Sequence, residues 1–125
     1  MPLTVKDMME AANAVVPRIG VDQANALIGD GALLLDVRDV VELQQSGRAT
    51  GAHHIPRGML EFRADDTLKS HDPELRKDRA VILYCAAGGR AALAGKLLKD
   101  MGYDKVYNLG GLADWVNGGG ETVSA

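Results

Sequence analysis

Apolar positions recur every three or four residues at Val5, Met8, Met9, Ala12, Val15 and Val16, which predicts an amphipathic helix that Pro17 ends. Thr4 precedes this run with Asp7 three residues on, a capping-box-like start. A second short helix is predicted after Asp22, through Ala26 and Leu27, closing near Gly29 and Gly31. The period then changes. Ala32 to Val37 (ALLLDV) is an apolar run too short for a helix between turn signals, and reads as a buried strand. Val40 to Gln45 predicts a short helix ended by Gly47, Ala52 to Ile55 a weak strand closed by Pro56, and Ala80 to Tyr84 (AVILY) the clearest strand. Arg90 to Met101 is the clearest helix. Leu93, Ala94, Leu97, Leu98 and Met101 form its apolar face, Lys96, Lys99 and Asp100 its polar one, and Gly102 caps it. Lys105 to Leu109 predicts a last strand and Leu112 to Val116 a last short helix, while the glycine-rich, polar residues 118–125 read as a mobile tail.

Strands alternating with helices imply parallel pairing through right-handed crossovers. The fold class is therefore α/β, an open parallel sheet with helices on both faces and an extra helix at the N-terminus. No internal repeat or linker divides the chain, and 125 residues suit one domain. Residues 1–20 read as a helix packed on that domain, 21–117 as the domain itself and 118–125 as the tail.

Composition narrows the function. With 46% hydrophobic and 25% charged residues the chain is neither disordered nor fibrous, and a net charge of −3 argues against a sequence-independent grip on nucleic acid. No apolar run approaches the roughly 20 residues that span a bilayer. The first residues lack an apolar signal core and carry Asp7 and Glu10, so the expected compartment is the cytoplasm, with no membrane partner.

Ligands of an open parallel sheet gather outside the carboxyl ends of its strands. Four segments fall there: Asp36 and Arg38, Arg57 and Gly58, Cys85, and Gly110 with Gly111. Cys85 is the chain's one cysteine, so it forms no internal disulfide and runs no dithiol cycle. The residues after it, Ala86, Ala87, Gly88, Gly89 and Arg90, join a strand to a helix in very little length. Such a loop is expected to curl so that its N–H groups converge on one spot, with the positive end of the following helix behind them. Both effects favour negative charge on the sulfur. Arg90 is expected to hydrogen-bond back across the loop. The plainer reading of Cys85 is a small buried hydrophobe; the adjoining Gly-Gly-Arg and the strong helix favour chemistry.

Other candidates carry plainer readings too. Arg57 reads either as a guide for anions or as the helical partner of Glu61. Asp36 and Arg38 either touch substrate or brace neighbouring loops, the commoner role, and Glu42 reads as structural. His53, His54 and His71 do not suggest a metal, because adjacent strand residues face opposite ways and no second cysteine or carboxylate cluster joins them. No metal is expected. Trp115 and the Met8–Met9 stripe read as packing residues. Gly95-Lys96 falls short of a phosphate loop because Leu97 replaces Ser or Thr.

Cys85 followed by four small residues and Arg90 resembles the active-site loop of rhodanese-type sulfurtransferases. Asp36-Val37-Arg38 with Glu42 resembles that family's D-x-R-x-x-x-E signature. Gly47 to Pro56 (GRATGAHHIP) resembles its G-H-I-P-G-A-x-N-I-P segment, with Arg48 and Thr50 in place of His and Pro. Gly110, Gly111 and Trp115 resemble its closing G-G-x-x-x-W. These matches run in order from about Val21 to Trp115. The resemblance implies a rhodanese-like domain of about five parallel strands, without cofactor. Cys85 would take a sulfane sulfur from a donor such as thiosulfate as a persulfide. Cyanide, a thiol or a protein acceptor would then remove it. Ala86 and Ala87 put no charge in the loop, where some members carry cations for thiosulfate. Pro56 to Phe62 resembles a segment of members with an extra N-terminal helix. Two alternatives remain at this level. One is a cysteine phosphatase or arsenate reductase on the same scaffold, although those carry five residues between Cys and Arg. The other is a non-catalytic persulfide carrier or binding module.

Overall fold

The computed structural model describes residues 2–125. The chain runs α1 (Val5–Val15), α2 (Val21–Gly29), β1 (Leu33–Asp36), α3 (Val40–Ser46), β2 (Arg48–Ala49) and β3 (His53–His54). A 3-10 turn (Arg57–Met59) then leads into α4 (Leu60–Ala64), β4 (Val81–Cys85), α5 (Gly89–Asp100), β5 (Val106–Gly111), α6 (Leu112–Asn117) and β6 (Thr122–Val123). The cap on α1 forms as its sequence implies: Asp7 N–H donates to Thr4 Oγ1 at 3.1 Å and Thr4 N–H to Asp7 Oδ2 at 3.0 Å. No helix among the described residues is long and apolar enough to cross a membrane.

The main sheet has the order β3-β1-β4-β5 and is parallel throughout. It holds four strands where about five were expected. The fifth place is a single parallel bridge beside β5. There Ile19 N–H donates to Asn108 O at 3.0 Å and Asn108 N–H to Pro17 O at 2.9 Å. Pro17 has no N–H to extend that ladder.

Residues 118–125 are not the loose tail their composition suggests. Thr122–Val123 pairs antiparallel with Arg48–Ala49. Trp115 Nε1 donates to Glu121 O at 2.6 Å and Thr50 N–H to the same oxygen at 2.9 Å. Gly120 lies flat on the indole, where a Cβ would overlap the Trp115 ring. Glycine here allows a close approach.

Strand alternation sorts the core into two layers. Leu33, Leu35, Val37, Val81, Leu83, Cys85 and Val106 face α1, α4 and α5, with Leu60, Leu75, Leu98 and Tyr103. Leu34, Ile82, Tyr84 and Leu109 face the other way, with Val21, Ala24 and Trp115. Burial on both faces is why β1 and β4 read as continuous apolar runs. Each buried Leu or Ile adds roughly 1.5–3 kcal/mol. The apolar face of α5 is wider than its helical stripe predicts, with Ala91, Ala92, Ala94, Gly95 and Leu98 all buried. The sheet covers one side of it and α1 another. A Cβ on Gly95 would lie 2.9 Å from Val16 Cγ1, so α1 and α5 touch across a glycine. The turn and helix over 57–64 escape the sequence pattern because they are too short to show a period. Tyr103 Oη closes this side by donating to Ala64 O at 2.8 Å.

Candidate active site

Cys85 ends β4, in the middle of the sheet, and is 1% exposed. Alternation along β4 places its side chain in the same layer as Val81 and Leu83. Ala86 and Ala87 are exposed, Gly88 is buried, and α5 starts at Gly89. Gly88 has φ +105°, a conformation that an L side chain rarely adopts. This geometry turns the Gly88 N–H back onto the sulfur, to which it donates at 2.9 Å. The sulfur thus sits beside one main-chain donor at the start of a twelve-residue helix, both of which stabilise negative charge. Among the amides of Ala86 to Arg90, that of Gly88 is the one hydrogen-bonded to Cys85 Sγ.

The loop rests on the end of β5. A Cβ on Gly111 would overlap the carbonyl oxygen of Ala86, so backbone meets backbone there. Asn108, 2% exposed, donates from Nδ2 to Gly88 O at 3.1 Å and accepts Gly110 N–H on Oδ1 at 2.8 Å. Asp114 Oδ2 accepts Gly111 N–H at 2.7 Å and pairs with Arg18 Nη2 at 3.3 Å. A Cβ on Gly88 would lie 3.3 Å from Arg18 Nη1, which places that guanidinium against the loop. Sequence reasoning missed Asn108, Asp114 and Arg18. Only Asn108 carried a signal, as a polar residue inside the apolar strand VYNLGG.

Arg90 does not reach back across its own loop. Its guanidinium forks onto Glu42, Nη1 to Oε1 at 2.7 Å and Nη2 to Oε2 at 2.9 Å. The carboxylate offers a two-point match that no group in the Ala86–Gly89 loop provides. Hydrogen bonding to Arg90 holds the Glu42 carboxyl at about 2, against the opposing effect of burial. The same bonds raise the Arg90 guanidinium above its usual value, and the Cys85 sulfur adds to that field. Glu42 Oε1 also accepts Asp39 N–H at 3.1 Å, which fixes the start of α3.

Asp36 and Arg38 are 0% and 2% exposed and face each other, with Arg38 Nη2 2.8 Å and Nε 3.0–3.1 Å from the Asp36 carboxylate. Arg38 also donates to Ser46 Oγ at 2.9 Å and Gly47 O at 2.6 Å, and lies 5.7 Å over the Tyr84 ring. The pair braces the β1–α3 connection and the end of α3. Arg57 Nη1 lies 2.9 Å from Glu61 Oε1, one helical turn on, and its side chain lines the groove between α1 and α5 with Met8, Leu93 and Leu97. Each histidine has a local partner: His53 Nε2 lies 2.6 Å from Asp72 Oδ2, His54 Nε2 2.6 Å from Arg38 O, and His71 Nε2 2.9 Å from Leu75 O. Among the described residues no group of three His, Cys, Asp or Glu side chains is placed to hold a metal ion.

A family model described as a rhodanese-like domain matches residues 20–118. A sulfurtransferase of Allochromatium vinosum is 33% identical over 91 residues, spanning 72% of this chain and 77% of that protein. A solved Rhodopseudomonas palustris protein of unknown function, described as a possible tyrosine phosphatase, superposes with a TM-score of 0.85 at 34% identity, over 98% of this chain and 99% of that one. The polysulfide-sulfur transferase homodimer of Wolinella succinogenes gives a TM-score of 0.74 at 31% identity, over 96% and 87% of the two chains.

Proposed function

The chain belongs to the rhodanese-like domain family, and from that premise we propose that it transfers sulfane sulfur through a persulfide on Cys85. The Cys85 thiolate attacks the outer sulfur of a donor such as thiosulfate. The donor's S–S bond breaks, and sulfite leaves with the electron pair. A Cys85–S–S⁻ persulfide remains. An acceptor, whether cyanide, a thiol or a protein thiol, then attacks the outer sulfur, and the Cys85 thiolate leaves in turn. The observation that carries this reading is the Gly88 N–H donating to the sulfur at 2.9 Å at the head of α5. A main-chain donor stabilises the thiolate before attack and after release. The loop of Ala86, Ala87, Gly88, Gly89 and Arg90 makes the wall around it, and the exposed methyls of Ala86 and Ala87 place no cation for a dianion. Polysulfide, the substrate class in the name of the Wolinella succinogenes relative, is therefore a donor to test beside thiosulfate.

The test is the intact mass after treatment with thiosulfate or polysulfide. The chain should gain one sulfur, lose it on adding cyanide, and gain none as Cys85→Ser. No gain from any sulfane donor overturns the reading.

A second reading has support in the description of the Rhodopseudomonas palustris neighbour as a possible tyrosine phosphatase. Ala86 to Gly89 are four residues between Cys85 and Arg90, and Arg90 is occupied by Glu42 rather than free for a phosphate. Both features favour a single sulfur over a tetrahedral oxyanion. Hydrolysis of an aryl phosphate that vanishes in Cys85→Ser would reverse the choice. A persulfide carrier that works only with a protein partner would instead show slow turnover with small donors.

A further inference from the structure

We infer that Asn108 is the positioning residue that aims the Gly88 amide at the Cys85 sulfur; the inference rests on the sulfur-transfer reading of that site. Asn108 lies inside β5 and is 2% exposed. A carboxamide buried there is costly unless its donor and acceptor both find partners. Both do, and both partners are main chain: Nδ2 donates to Gly88 O in the Cys85 loop at 3.1 Å, and Oδ1 accepts Gly110 N–H near the end of β5 at 2.8 Å. The main chain of Asn108 is held as well, between Pro17 O and the N–H of Ile19. The side chain therefore projects from a fixed base.

The sheet is built to allow this. Leu83 pairs with Asn108, but Tyr84 pairs with Gly110, so β5 carries one extra residue at Leu109. Bulges of this kind re-aim side chains next to functional sites. Asn108 shares the face of Val106 and Cys85, while Leu109 faces the other core layer.

Gly88 is where aim matters. Its φ of +105° comes with no side chain to hold it. Its N–H points at Cys85 Sγ and its C=O accepts both Asn108 Nδ2 and Ala92 N–H, the latter at 3.0 Å. The Ala92 bond ties Gly88 to α5 alone. The Asn108 bond ties it to the sheet that carries Cys85, and so sets donor and sulfur in one frame. Through Gly110 the same side chain fixes the end of β5, on which Ala86 rests.

The test uses the single cysteine, whose thiolate absorbance in the ultraviolet reports Cys85 alone once the Cys85→Ser spectrum is subtracted. In Asn108→Leu the absorbance profile against pH should move to higher pH by about one unit, the size of one hydrogen bond to a charged group. Sulfur uptake at neutral pH should fall roughly tenfold with it. Ile82→Val, buried on the opposite face, loses stability but should leave the profile in place. Should Asn108→Leu fail to fold, Asn108→Ser removes the reach to Gly88 while keeping a polar side chain, and is read the same way. A folded Asn108 variant whose profile matches the parent overturns the inference. Absence of sulfur uptake by the parent protein overturns the sulfur-transfer reading instead, while the absorbance profiles still decide the role of Asn108.

Discussion

Glu42 and Arg90, 48 positions apart in the chain, meet as a forked ion pair with contacts of 2.7 and 2.9 Å. The pair ties α3 to the first turn of α5 and so to the loop that holds Cys85. The hydrogen bonds from Arg90 lower the Glu42 carboxyl from 4.5 to about 2. A depressed carboxyl contributes stability that is complete above the unfolded value and is lost as pH falls through the folded one. The loss therefore falls between about pH 4.5 and pH 2. Both ends reach solvent, so its size is on the order of 1 kcal/mol. Thermal midpoints across that window should drop less in Glu42→Gln than in the parent; parallel curves would assign the acid loss to other groups.

The Asp36–Arg38 pair predicts a different asymmetry. Asp36→Ala leaves Arg38 buried, 2% exposed, without its carboxylate. The expected cost is about 3–5 kcal/mol, because an uncompensated buried charge is left behind. Replacing both residues with apolar ones of similar volume should cost less than Asp36→Ala alone. Chemical denaturation of the single and double variants measures the difference, and a double variant less stable than the single would refute this account.

Gly111 predicts a loss of transfer activity through backbone position alone. A methyl there overlaps the Ala86 carbonyl oxygen and must push the Cys85 loop away from β5. Displacements near 1 Å at a reacting centre cost on the order of 100-fold in rate. Gly111→Ala should therefore lower kcat/KM for sulfur transfer by at least ~10-fold. Circular dichroism should stay near that of the parent, and full activity would show that the loop yields without consequence.

Arg57 predicts a null effect. Its guanidinium is engaged by Glu61 one turn away, in a half-exposed pair worth about 0.3–0.5 kcal/mol. Arg57→Ala should leave the thiosulfate KM within about twofold of the parent, well under the 1.4 kcal/mol that a tenfold change represents. A rise of several-fold would restore a role in guiding anions.

The apolar runs ALLLDV and AVILY, the capped first helix and the loop from Cys85 to Arg90 were legible from residue order alone. Each depends on neighbours within a few positions: a period, a cap or a strand-to-helix turn. Those local patterns determined an α/β chain with parallel strands, and the rule for strand ends placed Cys85 at the candidate site. What a residue pairs with across the fold has no local period. Arg90 turned to Glu42 and not to its own loop, and Asn108 bridged Gly88 and Gly110. Residues 118–125, polar and glycine-rich, closed over Trp115 to pair with β2. Only the tertiary structure decided these, because hydrogen bonds and ion pairs depend on distances that separation along the chain does not encode.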